Sequence, residues 1–162
     1  MRVLAFDTAG PVVGVAFGDL VRTERVTRGA EGRLVPWAME LVGDQRVDAV
    51  AVAIGPGAFT GVRVGLATGQ GLAHALGVPL VGIGSLVSRG HRANADLALL
   101  DARKGRLYAG YRADGFAPAD LSVEDVLRDG RARGLLAPGF RCTGEGALVA
   151  RTALEAAGGV IV

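Results

Sequence analysis

The run Val47-Asp48-Ala49-Val50-Ala51-Val52-Ala53-Ile54, followed at once by Gly55-Pro56-Gly57-Ala58-Phe59-Thr60-Gly61-Val62-Arg63-Val64-Gly65, decides how the chain is organised. The first part is almost continuously apolar, the mark of a strand covered on both faces. The second places glycines before a helix expected over 61–76, with Thr60 as its N-cap and Gly77 as its stop. Strand, glycine turn and helix start is also the layout of an anion-binding loop. A P-loop needs a lysine after its last glycine, and none lies near Gly61. A dinucleotide fingerprint needs GxGxxG and an acid closing the next strand. Here the spacing is GxGxxxG, and the next strand runs out at Ile83-Gly84-Ser85. Glycine spacing alone therefore favours a tight strand-to-helix connection without a ligand.

Upstream, residues 2–7, 12–18 and 20–27 read as three strands. Their connections are too short for a parallel crossover, so they are antiparallel. Residues 33–43 read as a helix ending at Gly43, with Pro36 in its first turn. Residues 79–83 add a fifth strand. The order β-β-β-α-β-α-β is that of an α/β, ribonuclease H-like lobe of the actin-like ATPase superfamily. A second, abbreviated α/β lobe is expected, giving domains at 1–90 and 91–162. It contains a hairpin of 96–101 and 106–112, a helix capped by Ser122, a last helix over 146–157 and a final strand. No fixed-period repeat is visible.

The chain has 162 residues, half of them apolar, and a net charge of +2. This is globular composition. The 18 basic residues are spread along the chain, and Lys104 is the only lysine. Such scatter is not a nucleic-acid footprint. Cys142 is the only cysteine, so no internal disulfide can form. The N-terminus turns acidic at Asp7, and no apolar run reaches spanning length. A cytoplasmic protein without a membrane partner is expected. His74 and His91 stand alone, so neither a metal nor a cofactor is expected.

The string from Gly55 to Gly65 resembles the signature of the TsaB (YeaZ) family, Gly-Pro-Gly-[Ser/Ala]-Phe-Thr-Gly-[Leu/Val]-Arg-[Ile/Val]-Gly. Residues 3–8 (VLAFDT), Gly71-Leu72-Ala73, 81–86 (VGIGSL) and 101–108 (DARKGRLY) look like further family segments in the same order. The resemblance covers residues 1 to about 112. It departs in lacking a histidine before Leu34-Val35-Pro36, in carrying Arg106 where Glu is usual, and in lacking the family's C-terminal region. What it implies is a non-catalytic subunit in the synthesis of threonylcarbamoyladenosine at tRNA position 37. Such a subunit pairs with the transferase TsaD, acts together with TsaE, forms a homodimer in isolation and meets tRNA only through the complex. The rival reading is a small nucleotide-binding enzyme of the actin-like superfamily, whose older label is glycoprotease.

Catalytic members of that superfamily hold nucleotide with Asp-x-Gly turns. Here Asp7-Thr8-Ala9 and Asp101-Ala102-Arg103 stand in their place, without the glycine. Each is either a vestigial nucleotide turn or an aspartate satisfying turn N–H groups. The helices suggest binding instead. On 33–43 the apolar residues, with Trp37 and Met39 toward opposite edges and Leu41 between, cover roughly 200° of the wheel, wider than a core stripe requires. On 61–76, Val62, Leu66, Ala73 and Leu76 form a bulky stripe expected to face the sheet. Ala67, Gly71 and Ala75, beside Val64, form a small-residue stripe. It packs either on helix 33–43 or on another chain. Trp37, Met39, Leu41, Arg63, Val64, Ala67, Gly71 and Ala75 are the candidate interface.

Overall fold

The computed structural model describes residues 1–26, 29 and 31–162, and of Glu31 only the backbone. The end of the expected third strand at residue 27 lies outside the described residues. The chain forms two compact units, Met1–Gly84 and Ser85–Val162.

The first unit has strands β1 (Val3–Asp7), β2 (Val12–Phe17) and β3 (Leu20–Arg25), then helix α1 (Glu31–Val42), β4 (Ala49–Ala53), α2 (Phe59–Leu76) and β5 (Leu80–Ile83). The sheet order is β3-β2-β1-β4-β5. β1 pairs antiparallel with β2 and parallel with β4, and β4 pairs parallel with β5. Alternation sends Leu4, Phe6, Val13, Val15, Phe17, Val50 and Val52 to one face, where they meet Leu34, Trp37, Ala38 and Ala73 of the two helices. β3 holds α1 from the edge. Its Arg22 pairs with Glu40 and lies 5.6 Å from the Trp37 ring centre, and its Glu24 accepts from Arg33 at 2.9 Å.

α1 begins two residues before the expected start. Pro36 therefore sits in the helix interior rather than in its first turn. It faces solvent, where the carbonyl it leaves unpaired can be hydrated. Thr60 is not the N-cap of α2. Ala58 is, and it makes no side-chain cap. The preceding turn takes up the N–H of Ala58 itself, as described below.

The second unit starts at Ser85, earlier than the expected boundary at residue 91. The reason is helix α3 (Ser85–Arg92), whose Leu86 is buried with Ala98, Leu100 and Phe116, while the Phe116 ring lies against Gly90. After α3 come β6 (Leu97–Arg103), β7 (Arg106–Tyr111), a 3-10 turn at Arg112–Asp114, β8 (Ala119–Leu121), α4 (Val123–Ala132), β9 (Arg141–Thr143), α5 (Glu145–Val149), α6 (Arg151–Ala156) and β10 (Val160–Ile161). Ser122 caps α4 as expected, accepting from Asp125 N at 3.1 Å. The expected last helix is broken in two at Ala150, whose φ and ψ of −94° and 12° leave the helical range. The sheet order is β10-β9-β6-β7-β8, with β6–β7 and β7–β8 antiparallel and β6–β9 and β9–β10 parallel. Strand for strand, this is the topology of the first unit. The second lobe is thus a full five-stranded repeat in abbreviated form, a duplication without sequence periodicity.

Its core is fastened by Tyr111, which is 5% exposed and donates to the Val126 carbonyl at 2.6 Å. Burial, with Asp129 adding to it, pushes the Tyr111 hydroxyl up to about 12. The protonated form is thus favoured by folding, and its contribution is complete below the free tyrosine value near 10 and lost as pH rises toward 12. Tyr111→Phe is expected to cost about 1 kcal/mol at neutral pH. Urea unfolding at pH 7 to 11 checks this. Wild type should lose its advantage over the variant above pH 10.

Candidate partner-binding site

The glycines of the 55–65 string are shaped by the turn after β1. Gly55 has φ of 92°, a conformation glycine adopts without steric cost, and its peptide to Pro56 is cis. Ala58 N donates to the Ala9 carbonyl at 2.8 Å, and the Thr8 hydroxyl donates to the Gly61 carbonyl at 2.7 Å. A side chain at Gly57 would overlap the Ala9 carbonyl. One at Gly61 would overlap the Thr8 carbonyl, and one at Gly65 the Thr8 hydroxyl. One turn further, Gly69 meets Val52 of β4 in the same way. The face of α2 pressed on the sheet is therefore Gly61, Gly65, Gly69 and Ala73. Of the expected bulky stripe only Ala73 lies on that face: Val62 and Leu66 are half-buried, Leu66 packing on the core from the side, and Leu76 is 48% exposed. The four-residue spacing of glycines from 57 to 69 was the available signal for this face.

Asp7 and Asp101 do equivalent work. Asp7 Oδ1 accepts from Ala9 N at 2.9 Å, and Asp101 Oδ1 accepts from Arg103 N at 2.8 Å. Asp7 is the last residue of β1, and Asp101 lies two residues before the end of the equivalent strand β6, where its register with β7 shifts. Each satisfies a backbone donor two residues on, as a turn-forming aspartate does. Thr8 is 2% exposed, with its hydroxyl committed to Gly61. Among the described residues, no three His, Cys, Asp or Glu side chains gather where they could hold a metal ion. Cys142 is buried, which raises its thiol to about 11. Among the described residues, no helix is long and apolar enough to cross a membrane.

The expected interface residues divide. Trp37 is 8% exposed and Leu41 and Val64 pack on the core, so these three are spent largely inside the unit. The wide apolar band of α1 thus serves the sheet with one edge and leaves Met39, 70% exposed, on the other. Arg63, Ala67, Gly71 and Ala75 all lie on the exposed side of α2, and a side chain at Gly71 would meet open space. Their stripe is not packed on α1. Phe59 is 74% exposed, with the Arg63 guanidinium 5.2 Å from its ring centre. A feature that no sequence pattern marks lies at the other end of the same face. The C-terminal ends of α1 and α2 enclose a cleft of about 640 Å³, floored by Leu4 and walled by Met39, Val42, Leu72 and Leu76, with Asp44 on its rim. Outward-facing helix surfaces with exposed apolar and small residues suit the approach of another helix pair.

A duplicated ribonuclease H-like chain belongs to a known class, and comparison with other proteins identifies it. The family model described as "TsaD: tRNA N6-adenosine threonylcarbamoyltransferase" matches residues 38–149. An uncharacterized protein of Mycobacterium tuberculosis is 39% identical over 140 residues, covering 76% of this chain and 66% of the relative. The tRNA threonylcarbamoyladenosine biosynthesis protein TsaB of Escherichia coli is 33% identical over 130 residues, covering 70% of this chain and 56% of that one. The solved structure of YeaZ from Pseudomonas aeruginosa superposes with a TM-score of 0.75 at 28% identity, covering 93% of this chain and 79% of that chain. The chain belongs to the TsaD-related family, in its TsaB/YeaZ group. It spans from 40% to 66% of the length of the mycobacterial and Escherichia coli relatives.

Two glycine substitutions test the close packing on the turn. Gly61→Ala is expected to destabilise by about 2 kcal/mol or more, because the obstacle is backbone and cannot rotate away. Gly71→Ala is expected to stabilise by about 0.5–1 kcal/mol through helix propensity. Chemical denaturation of both variants checks the pair.

Proposed function

We propose that this chain is a non-catalytic subunit in tRNA threonylcarbamoyladenosine synthesis. In this reading it docks the transferase TsaD through the outer face of α1 and α2 and supports its activity together with TsaE. Isolated chains pair with each other through the same face. Transfer RNA is met only through the complex, in the cytoplasm. Arg63, Met39, Ala67, Gly71 and Ala75 are the contact residues. Trp37, Leu41 and Val64 set the position of the two helices from beneath.

The observation that carries the reading is the use made of the glycine string. Its Ala58 N–H and Gly61 carbonyl are bonded to the chain's own Ala9 and Thr8, which also fill the space beside Gly57, Gly61 and Gly65, while the helix it introduces leaves an uncovered apolar face. A phosphate cradle needs open room at that point. The names of the TsaB relatives supply the pathway. The match to a transferase family model keeps one other reading in play, a nucleotide-binding enzyme of the actin-like superfamily.

Reconstitution of tRNA modification with TsaD and TsaE tests the proposal. Omitting this chain should reduce modification at least tenfold. Ala67→Arg should lose co-purification with TsaD and reduce modification to the same level, with an unchanged unfolding midpoint, since Ala67 is exposed. Equal modification without the chain, or undiminished TsaD binding by Ala67→Arg, overturns it.

A further inference from the structure

A sheet edge presents unpaired N–H and C=O groups, and folded chains guard such edges with charge, proline or short strands. Of the four edge strands described, β3 carries Arg22, Glu24 and Arg25, β8 carries Asp120, and β10 has only 2 residues. β5, Leu80-Val81-Gly82-Ile83, has none of these guards. Pro79, just before it, accepts from Val50 N at 2.9 Å, so its missing N–H is on the β4 side. Ile83 accepts from Ile54 N at 3.0 Å in the same way. The odd-numbered residues thus bond to β4, and Leu80 and Gly82 turn their N–H and C=O groups to the free edge. Helix α2 does not cover that edge. Its Gly61 and Gly65 lie against Thr8 and its Gly69 against Val52, while Val81, Gly82 and Ile83 are exposed.

We infer that β5 pairs antiparallel with β5 of a second copy about a two-fold axis at Val81, joining the two five-stranded sheets edge to edge. The inference uses a surface other than the helix face proposed above and holds or fails apart from it. The strand is complementary to itself in hydrogen bonding. Leu80 stands opposite Gly82 of the second copy and Gly82 opposite its Leu80, and each such pair exchanges both bonds. It is also complementary in shape. A side chain at Gly82 would overlap Ile54, so the exposed Ile54 lies over the glycine. Leu80 of the second copy, set opposite Gly82 on the same face, meets that Ile54. On the other face Val81 meets its own counterpart, a close pair of β-branched side chains of the kind that stabilises sheets. No charge on β5 meets its own copy across the axis. The pairing is isologous, so it closes at two copies and leaves both outer helix faces free.

Charge substitutions at Val81 test the axis, because Val81 faces its own counterpart. They are made with Ala67→Arg also present, so that pairing through the helix face does not contribute. In sedimentation equilibrium the Ala67→Arg chain should self-associate at about millimolar concentration, since a few backbone bonds and aliphatic contacts support only weak pairing. Adding Val81→Lys or Val81→Glu should weaken association at least tenfold, with the unfolding midpoint unchanged because Val81 is 45% exposed. An equimolar mixture of the Val81→Lys and Val81→Glu chains should recover association at least threefold over either, since unlike charges then meet at the axis. A monomeric Ala67→Arg chain overturns the inference. So does a Val81→Lys chain that associates like its parent, or a mixture no tighter than either chain alone. A cross-link tests the same contact without a buried charge, because a pair of this kind is close enough for a disulfide. Val81→Cys should form a linked dimer in air at least tenfold faster than Val21→Cys on the exposed β3, and equal rates overturn the assignment. None of these measurements reads TsaD binding, so failure of the docking proposal leaves them interpretable.

Discussion

The first unit depends on one close approach, the turn Thr8-Ala9 pressed into the glycine face of α2. Two hydrogen bonds fix it: the Thr8 hydroxyl to the Gly61 carbonyl, and Ala58 N to the Ala9 carbonyl. The second satisfies the N–H of Ala58, the N-cap residue of α2, whose side chain makes no cap. Because Gly61, Gly65 and Gly69 have no Cβ, α2 lies directly on β4 and on the end of β1. Leu66 and Leu72 reach the core from its flanks. The helix spends little of its surface on the sheet, and its opposite side remains uncovered.

That constraint connects fold to function. In the actin-like superfamily the turn after the first strand is where phosphates are received. Here the Ala9 carbonyl and the Thr8 hydroxyl are committed to the entry of the chain's own helix, and Asp7 accepts from its own turn. The equivalent Asp101 does the same in the second sheet. The duplicated topology persists in both sheets, and in each the aspartate serves a backbone turn. What the packing sets outward is a helix pair with Met39, Phe59, Arg63 and the stripe through Ala67, Gly71 and Ala75.

Much of this was legible in the sequence because it is local. The strand over 47–54, the glycine stop at Gly77 and the Ser122 cap follow from short-range patterns, and the antiparallel pairing of the first strands follows from connection length. The purpose of the glycines was not legible, because Thr8 and Gly61 lie 53 residues apart and only the tertiary fold brings them together. The same holds for Trp37: its helical wheel position could not reveal that Arg22 and the sheet would close over it. The cleft beside Asp44 arises from two helix ends that share no sequence motif. The repeat in the second unit is hidden in the sequence because it preserves strand order rather than residues, and because its last helix breaks at Ala150.

The central claim is that the glycine string is a packing device, closed to phosphate, in a chain that acts by binding. Calorimetric titration of the isolated chain with ATP and magnesium measures this most directly. The account predicts no saturable heat up to millimolar nucleotide. Stoichiometric binding with a micromolar Kd, weakened by Gly61→Ala beyond its effect on folding, would contradict it.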